Sequence, residues 1–197
     1  RTVDFSSEIA AADKFDIRGS GSDEIVDATD SHQVSVVWSP GSDLIFGPEG
    51  EDNSVAGWHF DDWVEDFDPD RGSSDGLNYT FSDGELTVTS AYGTTVLTNA
   101  RTAEDSSYDD IFVGDASRNT FRLKNGGEDV ITTGDGEDKL RVDDRFIDRA
   151  GQVRVTDLSS ADVISLEDMN FDASPETLAQ QFSVSYDEAT NQTSLSV

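Results

Sequence analysis

The feature that most constrains this chain is a nine-residue phrase that occurs twice in succession over residues 124–141. Each copy places a glycine, an aspartate and an apolar residue at two-residue intervals. These residues are Gly127, Asp129 and Ile131 in the first copy and Gly136, Asp138 and Leu140 in the second. Glycine permits a tight turn with positive φ, and an alternating pattern sends every second side chain to one face of a strand. The phrase therefore predicts stacked turns and very short strands whose apolar residues point inward.

The phrase matches the pattern G-G-x-G-x-D-x-U-x, which is typical of calcium-binding parallel β-helices. With two adjacent copies, the chain resembles the RTX, or haemolysin-type, calcium-binding repeat family, whose members leave bacteria by type I secretion. The resemblance implies an all-β fold, namely a parallel β-roll or β-helix of calcium-binding nonapeptide repeats with an additional β-sandwich-like segment. It also implies several Ca²⁺ ions held by carboxylates and turn carbonyls, which are hard oxygen ligands. A pair of hairpin turns rich in Gly and Asp is the alternative.

The candidate metal-binding residues follow from aligning weaker copies on the strong block. Asp129 and Asp138 are the expected direct ligands, with carbonyls of residues 124–127 and 133–136 completing their cages. The full candidate set is Asp129, Asp138, Gly127, Gly134, Gly136, Asp135, Asn119, Asp110, Asp23, Gly21, Asp43, Gly41, Asp52 and Gly50.

The weaker copies of the phrase predict further residues that point into the interior. Segment 12–34 resembles the strong block at an offset of 106 residues, which places Ile25 over Ile131. Ile45 occupies the same inward place in the copy at 38–46. In the copy at 47–55, Ser54 stands where an apolar residue is expected, so that rung is predicted to be weak or terminal.

Four segments are predicted along the chain: a first repeat-like arm at 1–55, an inserted β segment at 56–104, the repeat block at 105–150 and a C-terminal β segment at 151–197. Alternating residues around Asp83-Gly84 predict a hairpin within 78–98, and a second hairpin is expected near the C-terminus. A short helix is expected at 174–182, where Ser174 precedes Pro175.

The composition excludes several partners. Asp plus Glu total 42 against 13 Lys plus Arg, for a formal net charge of −29. Nucleic acid is excluded because phosphate binding needs the opposite sign, and no apolar run approaches the ~18 residues of a membrane span. Only 35% of the residues are hydrophobic, so neutralisation by calcium is expected to let the chain fold. Halophilic hydration is an alternative source of acidity, but it does not explain the nine-residue spacing.

Three other groups of residues could have a functional role but also have plainer explanations. The acidic run over 66–75 lacks the Gly and Glu that an EF-hand loop requires, so it is not an EF-hand. It is either a calcium-binding loop of another kind or a solvated acidic loop. The aromatic group Trp38, Trp58, Phe60 and Trp63 favours core packing over sugar stacking. His59 has no zinc or nucleophile motif around it, so catalysis is not expected.

The sequence therefore predicts a non-enzymatic, calcium-induced folding and display module of a secreted or surface-anchored bacterial protein, such as an adhesin, a surface-layer protein or an exoenzyme appendage. Because the chain begins with Arg1, it is expected to be a fragment of a longer protein. An extracellular glycan or cell surface is the expected partner. The alternatives are a calcium-dependent carbohydrate-binding module and a fragment of a polysaccharide-active enzyme.

Overall fold

A computed structural model describes residues 2–4, 15–18, 22–29, 33–37, 41–48, 53–57, 75–167, 183–187 and 192–196. These residues form two β-sheets and one short helix, α1 (Asp144–Asp148). The eleven-stranded sheet has the spatial order β1 (Thr2–Asp4), β3 (Ile25–Asp27), β5 (Gly41–Phe46), β9 (Gly93–Thr98), β8 (Glu85–Ser90), β7 (Asp75–Ser82), β11 (Asp109–Val113), β13 (Glu128–Thr132), β15 (Gln152–Val155), β18 (Gln192–Ser196) and β17 (Ser183–Asp187). The seven-stranded sheet has the order β2 (Phe15–Arg18), β4 (Val34–Val37), β6 (Asn53–Ala56), β10 (Ala100–Glu104), β12 (Thr120–Leu123), β14 (Lys139–Asp143) and β16 (Val163–Glu167).

Apart from β8, β17 and β18, whose pairs are antiparallel, each strand pairs in parallel with a strand separated from it by two crossings of the chain between the two sheets. We call this stretch of chain a winding. Asp110 at the start of β11 and Asp129 at the start of β13 are 19 residues apart and mark one winding. The winding from β14 to β16 is longer, with Asp138 and Asp162 separated by 24 residues, because it also contains α1.

The predicted fold class is wrong. The structure has two sheets, one wholly parallel and one mixed, instead of a single parallel β-roll or β-helix. Antiparallel pairing enters where β7, β8 and β9 form a meander, and again where β17 and β18 form a hairpin beside β15. The physical reason for the meander is that the two-residue turns at 83–84 and 91–92 favour antiparallel pairs, and the three strands they join are inserted between β5 and β11. The expected sandwich-like part is compatible with this architecture, while the four-segment division stays a prediction.

Both predicted hairpins are confirmed. Asp83 and Gly84 have φ of 52° and 80°, as a two-residue turn with a twist that suits antiparallel strands requires. The C-terminal hairpin pairs Ser183–Asp187 with Gln192–Ser196. The predicted helix at 174–182 lies outside the described residues.

Helix α1 was not predicted from the sequence. It begins after Asp143, whose side chain accepts a hydrogen bond from the backbone N–H of Arg145 and so caps the first turn. It is only five residues long, too short to show a helical period in the sequence.

One hydrophobic core lies between the sheets and includes inward residues from both. Tyr79 of β7 stacks on Phe112 of β11 with ring centroids 4.4 Å apart, and Phe112 meets Phe121 of β12 edge-on across the core. Ile131, Leu140 and Ile45 are fully buried, as predicted. Within the described residues, no helix has the length and apolar character needed to cross a membrane.

The inward register of the N-terminal arm differs from the prediction. Ile25 is 42% exposed and its neighbour Val26, opposite Ile45 in the sheet, is buried instead. Ser54 does not mark a weak rung, because the fully buried Val55 fills the inward place. A shift of one residue along a strand moves every side chain to the other face, so these two errors have one cause.

We expect Ile131→Ala to lower the free energy of unfolding by about 2–5 kcal/mol, because it removes a fully buried side chain from a packed core. The matched control is Ile111→Ala, which removes the same atoms from a site that is 47% exposed and should change stability by about 0.5 kcal/mol or less. Denaturant titration of both variants measures the difference. Equal losses in the two variants would contradict the assigned inward face.

Candidate metal centre

At several strand entrances, an Asp or Asn side chain accepts a hydrogen bond from the backbone of the winding before it. In the eleven-stranded sheet, the N–H of Asp110 donates to Asp129 Oδ1 at 2.9 Å, and the N–H of Leu77 donates to Asp110 Oδ1 at 2.6 Å. Asp110 also accepts from the N–H and hydroxyl of Ser106. These contacts stack Asp110 and Asp129 one above the other.

The seven-stranded sheet carries a second stack of the same kind. The N–H of Asn119 donates to Asp138 Oδ1 at 2.7 Å, and the N–H of Asp138 donates to Asp162 Oδ1 at 3.0 Å. Asp129 and Asp138, the two expected principal ligands, therefore belong to different stacks at strand entrances of different sheets.

Each stack is surrounded by further carboxylates. Asp105, Asp109 and Asp110 act electrostatically on Asp129, and we call these four residues the Asp129 cluster. Asp115, Asp157 and Asp162 act in the same way on Asp138, and these four form the Asp138 cluster. Each cluster thus brings four carboxyl groups together at a turn of the chain.

Asp129 and Asp138 each have a carboxylate oxygen with no hydrogen bond. The Oδ2 atoms of both are buried and have no partner among the described residues. Burial raises the pKa of Asp129 to about 10, with the charge of Asp110 acting in the same direction. Burial likewise raises the pKa of Asp138 to about 6, against the opposing hydrogen bond from Asn119. A buried polar atom without a partner is costly, so each Oδ2 calls for a proton or a cation.

Backbone carbonyls of the preceding winding lie close to the glycine turns. A Cβ on Gly127, where φ is 93°, would collide with the carbonyl oxygen of Tyr108 and lie 3.2 Å from Asp129 Oδ1. A Cβ on Gly136, where φ is 130°, would lie 2.9 Å from the carbonyl oxygen of Ser117 and 3.5 Å from Asp138 Oδ1. Glycine at these two turns therefore keeps a carboxylate and a carbonyl oxygen near each other, a combination that suits Ca²⁺.

Side chains alone do not complete a cage. In the described part of the chain, no three His, Cys, Asp or Glu side chains converge as a metal-binding group. Main-chain carbonyls would have to supply the remaining oxygens. Of the carbonyls expected to do so, that of Gly127 already accepts from the N–H of Gln152.

The remaining predicted ligands have different surroundings. Asp43 is buried, accepts from the N–H of Glu24 and the hydroxyl of Thr95, and has its pKa raised to about 6 by burial. Asp23 is exposed and accepts from the N–H of Ser42. Asp135 is exposed, while Gly41 and Gly134 have positive φ. Gly21, Gly50 and Asp52 lie outside the described residues.

Sequence reasoning missed five residues of these stacks and clusters, namely Asp105, Asp109, Asp115, Asp157 and Asp162, and it also missed Asn53, which makes a similar contact in the N-terminal arm. Asp105 is fully buried and accepts from the N–H groups of Lys124 and Asn125 in the next winding. Asp157 accepts from Thr133 and Gly134, Asp162 extends the second stack, and Asn53 accepts from the N–H of Val34. Asn53 lies 19 residues after its partner Val34, a spacing that could have identified it. Asp157 and Asp162 lie 24 residues after their partners Thr133 and Asp138, so a search for nine-residue repeats does not find them.

The sequence features behind the alternative functions fall outside the described residues. These are Trp38, Trp58, His59, Phe60, Trp63 and the acidic loop at 66–74. No protein-family model matches the sequence, and no curated protein is significantly similar to it.

Without metal, we expect the protein to lose stability as the pH rises. The folded pKa of Asp138, about 6, lies above the ordinary value of 3.8, so the folded state binds the extra proton between these values and the free energy of unfolding falls across them. The higher pKa of Asp129 continues the fall above pH 6. Circular dichroism of chelated protein over a pH series from about pH 4 upward measures the trend as a loss of the folded fraction toward neutral pH.

Repulsion among all the carboxylates gives a slope of the same sign, so a variant must separate the two effects. Asp138→Asn should flatten the slope between about pH 4 and pH 6, the window set by its own pKa. Asp83→Asn, at an exposed turn, removes the same charge and should leave the slope unchanged. Identical slopes in both variants would contradict the assignment.

Proposed function

We propose that the chain is a calcium-binding folding and display module of a secreted or surface-anchored, RTX-like bacterial protein. Its role is to fold outside the cell and present or carry a surface, as an adhesin, a surface-layer protein or an exoenzyme appendage does, with no catalytic step of its own. The observation that carries the proposal is the pair of buried Oδ2 atoms on Asp129 and Asp138 that have no hydrogen-bond partner in the described part.

The residues present fit Ca²⁺. The Oδ2 atoms of Asp129 and Asp138 would be the carboxylate ligands, and the carbonyls of Tyr108 and Ser117, which lie beside the turns at Gly127 and Gly136, would add main-chain oxygens. In each pair, the carboxylate and the carbonyl belong to successive windings. Bound calcium would supply two positive charges and a link between these windings.

The high negative charge of the chain explains why such a link would favour folding. At a net charge of −29, carboxylates crowded at strand entrances repel one another and oppose the compact state. Extracellular modules bind calcium with dissociation constants of roughly 10⁻⁴–10⁻³ M. One site at ten times its dissociation constant contributes only about 1.4 kcal/mol, so several coupled sites are needed.

The stacks provide this coupling. The N–H of Asp110 donates to Asp129, so ordering one carboxylate orders the strand entrance beneath it. The same holds for Asn119, Asp138 and Asp162 in the second stack. Where calcium is scarce, as in the cytosol, repulsion would keep the chain loose and ready for export.

The double change Asp129→Asn and Asp138→Asn should raise the calcium midpoint severalfold, because an amide keeps the size but loses the charge that attracts the cation. Calorimetric titration with calcium measures the midpoint. The matched control is Asp83→Asn with Asp148→Asn, which removes two exposed carboxylates and the same net charge. An equal effect of both double variants would show that total charge, and not these two sites, sets the affinity.

Calcium should also fold the chelated chain in one cooperative transition, seen as a gain of β signal by circular dichroism and a smaller hydrodynamic radius. Magnesium should substitute poorly, because it demands a small octahedral shell and keeps its waters. Sodium chloride at matched ionic strength controls for screening. If salt or magnesium reproduces the transition, or if chelated protein keeps its full fold and melting temperature, the calcium proposal fails.

A further inference from the structure

Positive side chains gather on one face of the seven-stranded sheet, although the chain has only 13 lysines and arginines. A pocket of about 210 Å³ opens there, between β12, β14, β16 and α1. Its lining consists of Arg122, Lys124, Arg141, Arg145, Asp143 and Glu167. Four cationic and two anionic side chains give this lining a charge of +2 in a chain of net charge −29.

Three of the four cations are held in place by carboxylates. Arg141 forms a two-pronged pair with Glu167 through Nε and Nη2. Arg145 binds both carboxylate oxygens of Asp143 at 2.8 and 2.9 Å. Lys124 binds Glu104 at 2.8 Å. These pairs fix the positions of the charged groups around the pocket.

Arg122 differs from its neighbours. Its Nε is buried and has no hydrogen-bond partner among the described residues. Its neighbour on one side in the sheet is Arg141, a like charge, which is unfavourable in adjacent strands. Its neighbour on the other side is Glu104, whose carboxylate binds Lys124. Arg122 therefore lines the pocket with a half-buried guanidinium whose Nε lacks an acceptor among the described residues and whose neighbour in the sheet has a like charge.

An anion in the pocket would relieve both costs. It would offer an acceptor to the guanidinium of Arg122 and lower the repulsion between Arg122 and Arg141. The planar guanidinium fork matches the oxygens of sulfate, phosphate or carboxylate better than an ammonium group does.

We propose that this pocket is a binding site for an oxyanion, with Arg122 as the direct ligand and Arg141, Lys124 and Arg145 supplying the surrounding positive potential. The occupant is a sulfate, phosphate or carboxylate group, either free in solution or carried on an anionic polymer. The site lies apart from the Asp129 and Asp138 clusters in its lining and has the opposite charge, so it stands independently of the calcium proposal.

Sulfate is the suitable probe, because phosphate forms insoluble salts with the calcium that the folded protein is proposed to need. Calorimetric titration with sodium sulfate, in chloride buffer at constant ionic strength, should show saturable binding of one anion. Sulfated dextran tests the polymer source and uncharged dextran is its control. Tighter binding of sulfated dextran than of sulfate assigns the site to a polymer, and the reverse assigns it to a free anion. Absence of saturable binding by both sulfate and sulfated dextran would overturn the proposal.

Three variants test the role of Arg122. Arg122→Gln should weaken sulfate binding about tenfold or more, since it removes a charge-assisted hydrogen bond. Arg122→Lys keeps the charge, loses the fork and should lie between Arg122→Gln and the unchanged protein. Arg154→Gln, at an exposed position on the other sheet, should bind as the unchanged protein does.

Circular dichroism checks the fold of each variant. Should Arg122→Gln fail to fold, Arg122→Lys decides: undiminished sulfate binding in it would overturn the role of the fork. Equal affinity in Arg122→Gln and Arg154→Gln would overturn the site.

Discussion

The hydrogen bond from the backbone of one winding to a buried Asp or Asn of the next is the interaction on which this structure depends. It recurs from Glu24 to Asp43, from Asp110 to Asp129 and from Asn119 to Asp138. Each bond satisfies an amide where a strand begins and fixes the register of the next strand. The same bond brings a carboxylate into the interior, where its second oxygen must find another partner.

These hydrogen bonds are present even though the chain contains two large insertions. The meander of β7, β8 and β9 enters between β5 and β11, and α1 lengthens one winding to 24 residues. The parallel pairs β5–β9, β12–β14 and β14–β16 beside these insertions stay in register, whereas the β7–β11 pair has a register shift between Asp109 and Ile111. The core also stays continuous, because Tyr79 from the meander stacks on Phe112 from the next strand. Asp110 connects the meander to the following windings by accepting from Leu77.

Acidic and basic side chains concentrate in different parts of the structure. Carboxylates in excess occupy the strand entrances, where Asp129 and Asp138 are buried. The scarce cations gather on one face of the seven-stranded sheet, where Arg141 and Arg145 pair with Glu167 and Asp143. Arginine pairing holds the pKa of Glu167 below its usual range, whereas burial raises that of Asp129. The two regions therefore differ in charge, and the ligands proposed for them have opposite signs: a cation at the turns and an anion in the pocket.

The sequence by itself determined the turns and the inward face of the repeat block. Glycine at 127 and 136, aspartate at 129 and 138 and apolar residues at 131 and 140 follow local rules of backbone freedom and alternation, and the structure places the apolar pair in the core. The same rules gave the hairpin at Asp83-Gly84. Only the tertiary structure decided that the strands form two sheets, that Asp129 and Asp138 fall in separate stacks, and that Asp157 and Asp162 join the second cluster. The reason is that strand pairing depends on contacts 19 to 24 residues apart, and a one-residue shift such as that between Ile25 and Val26 becomes visible only against the opposing strand.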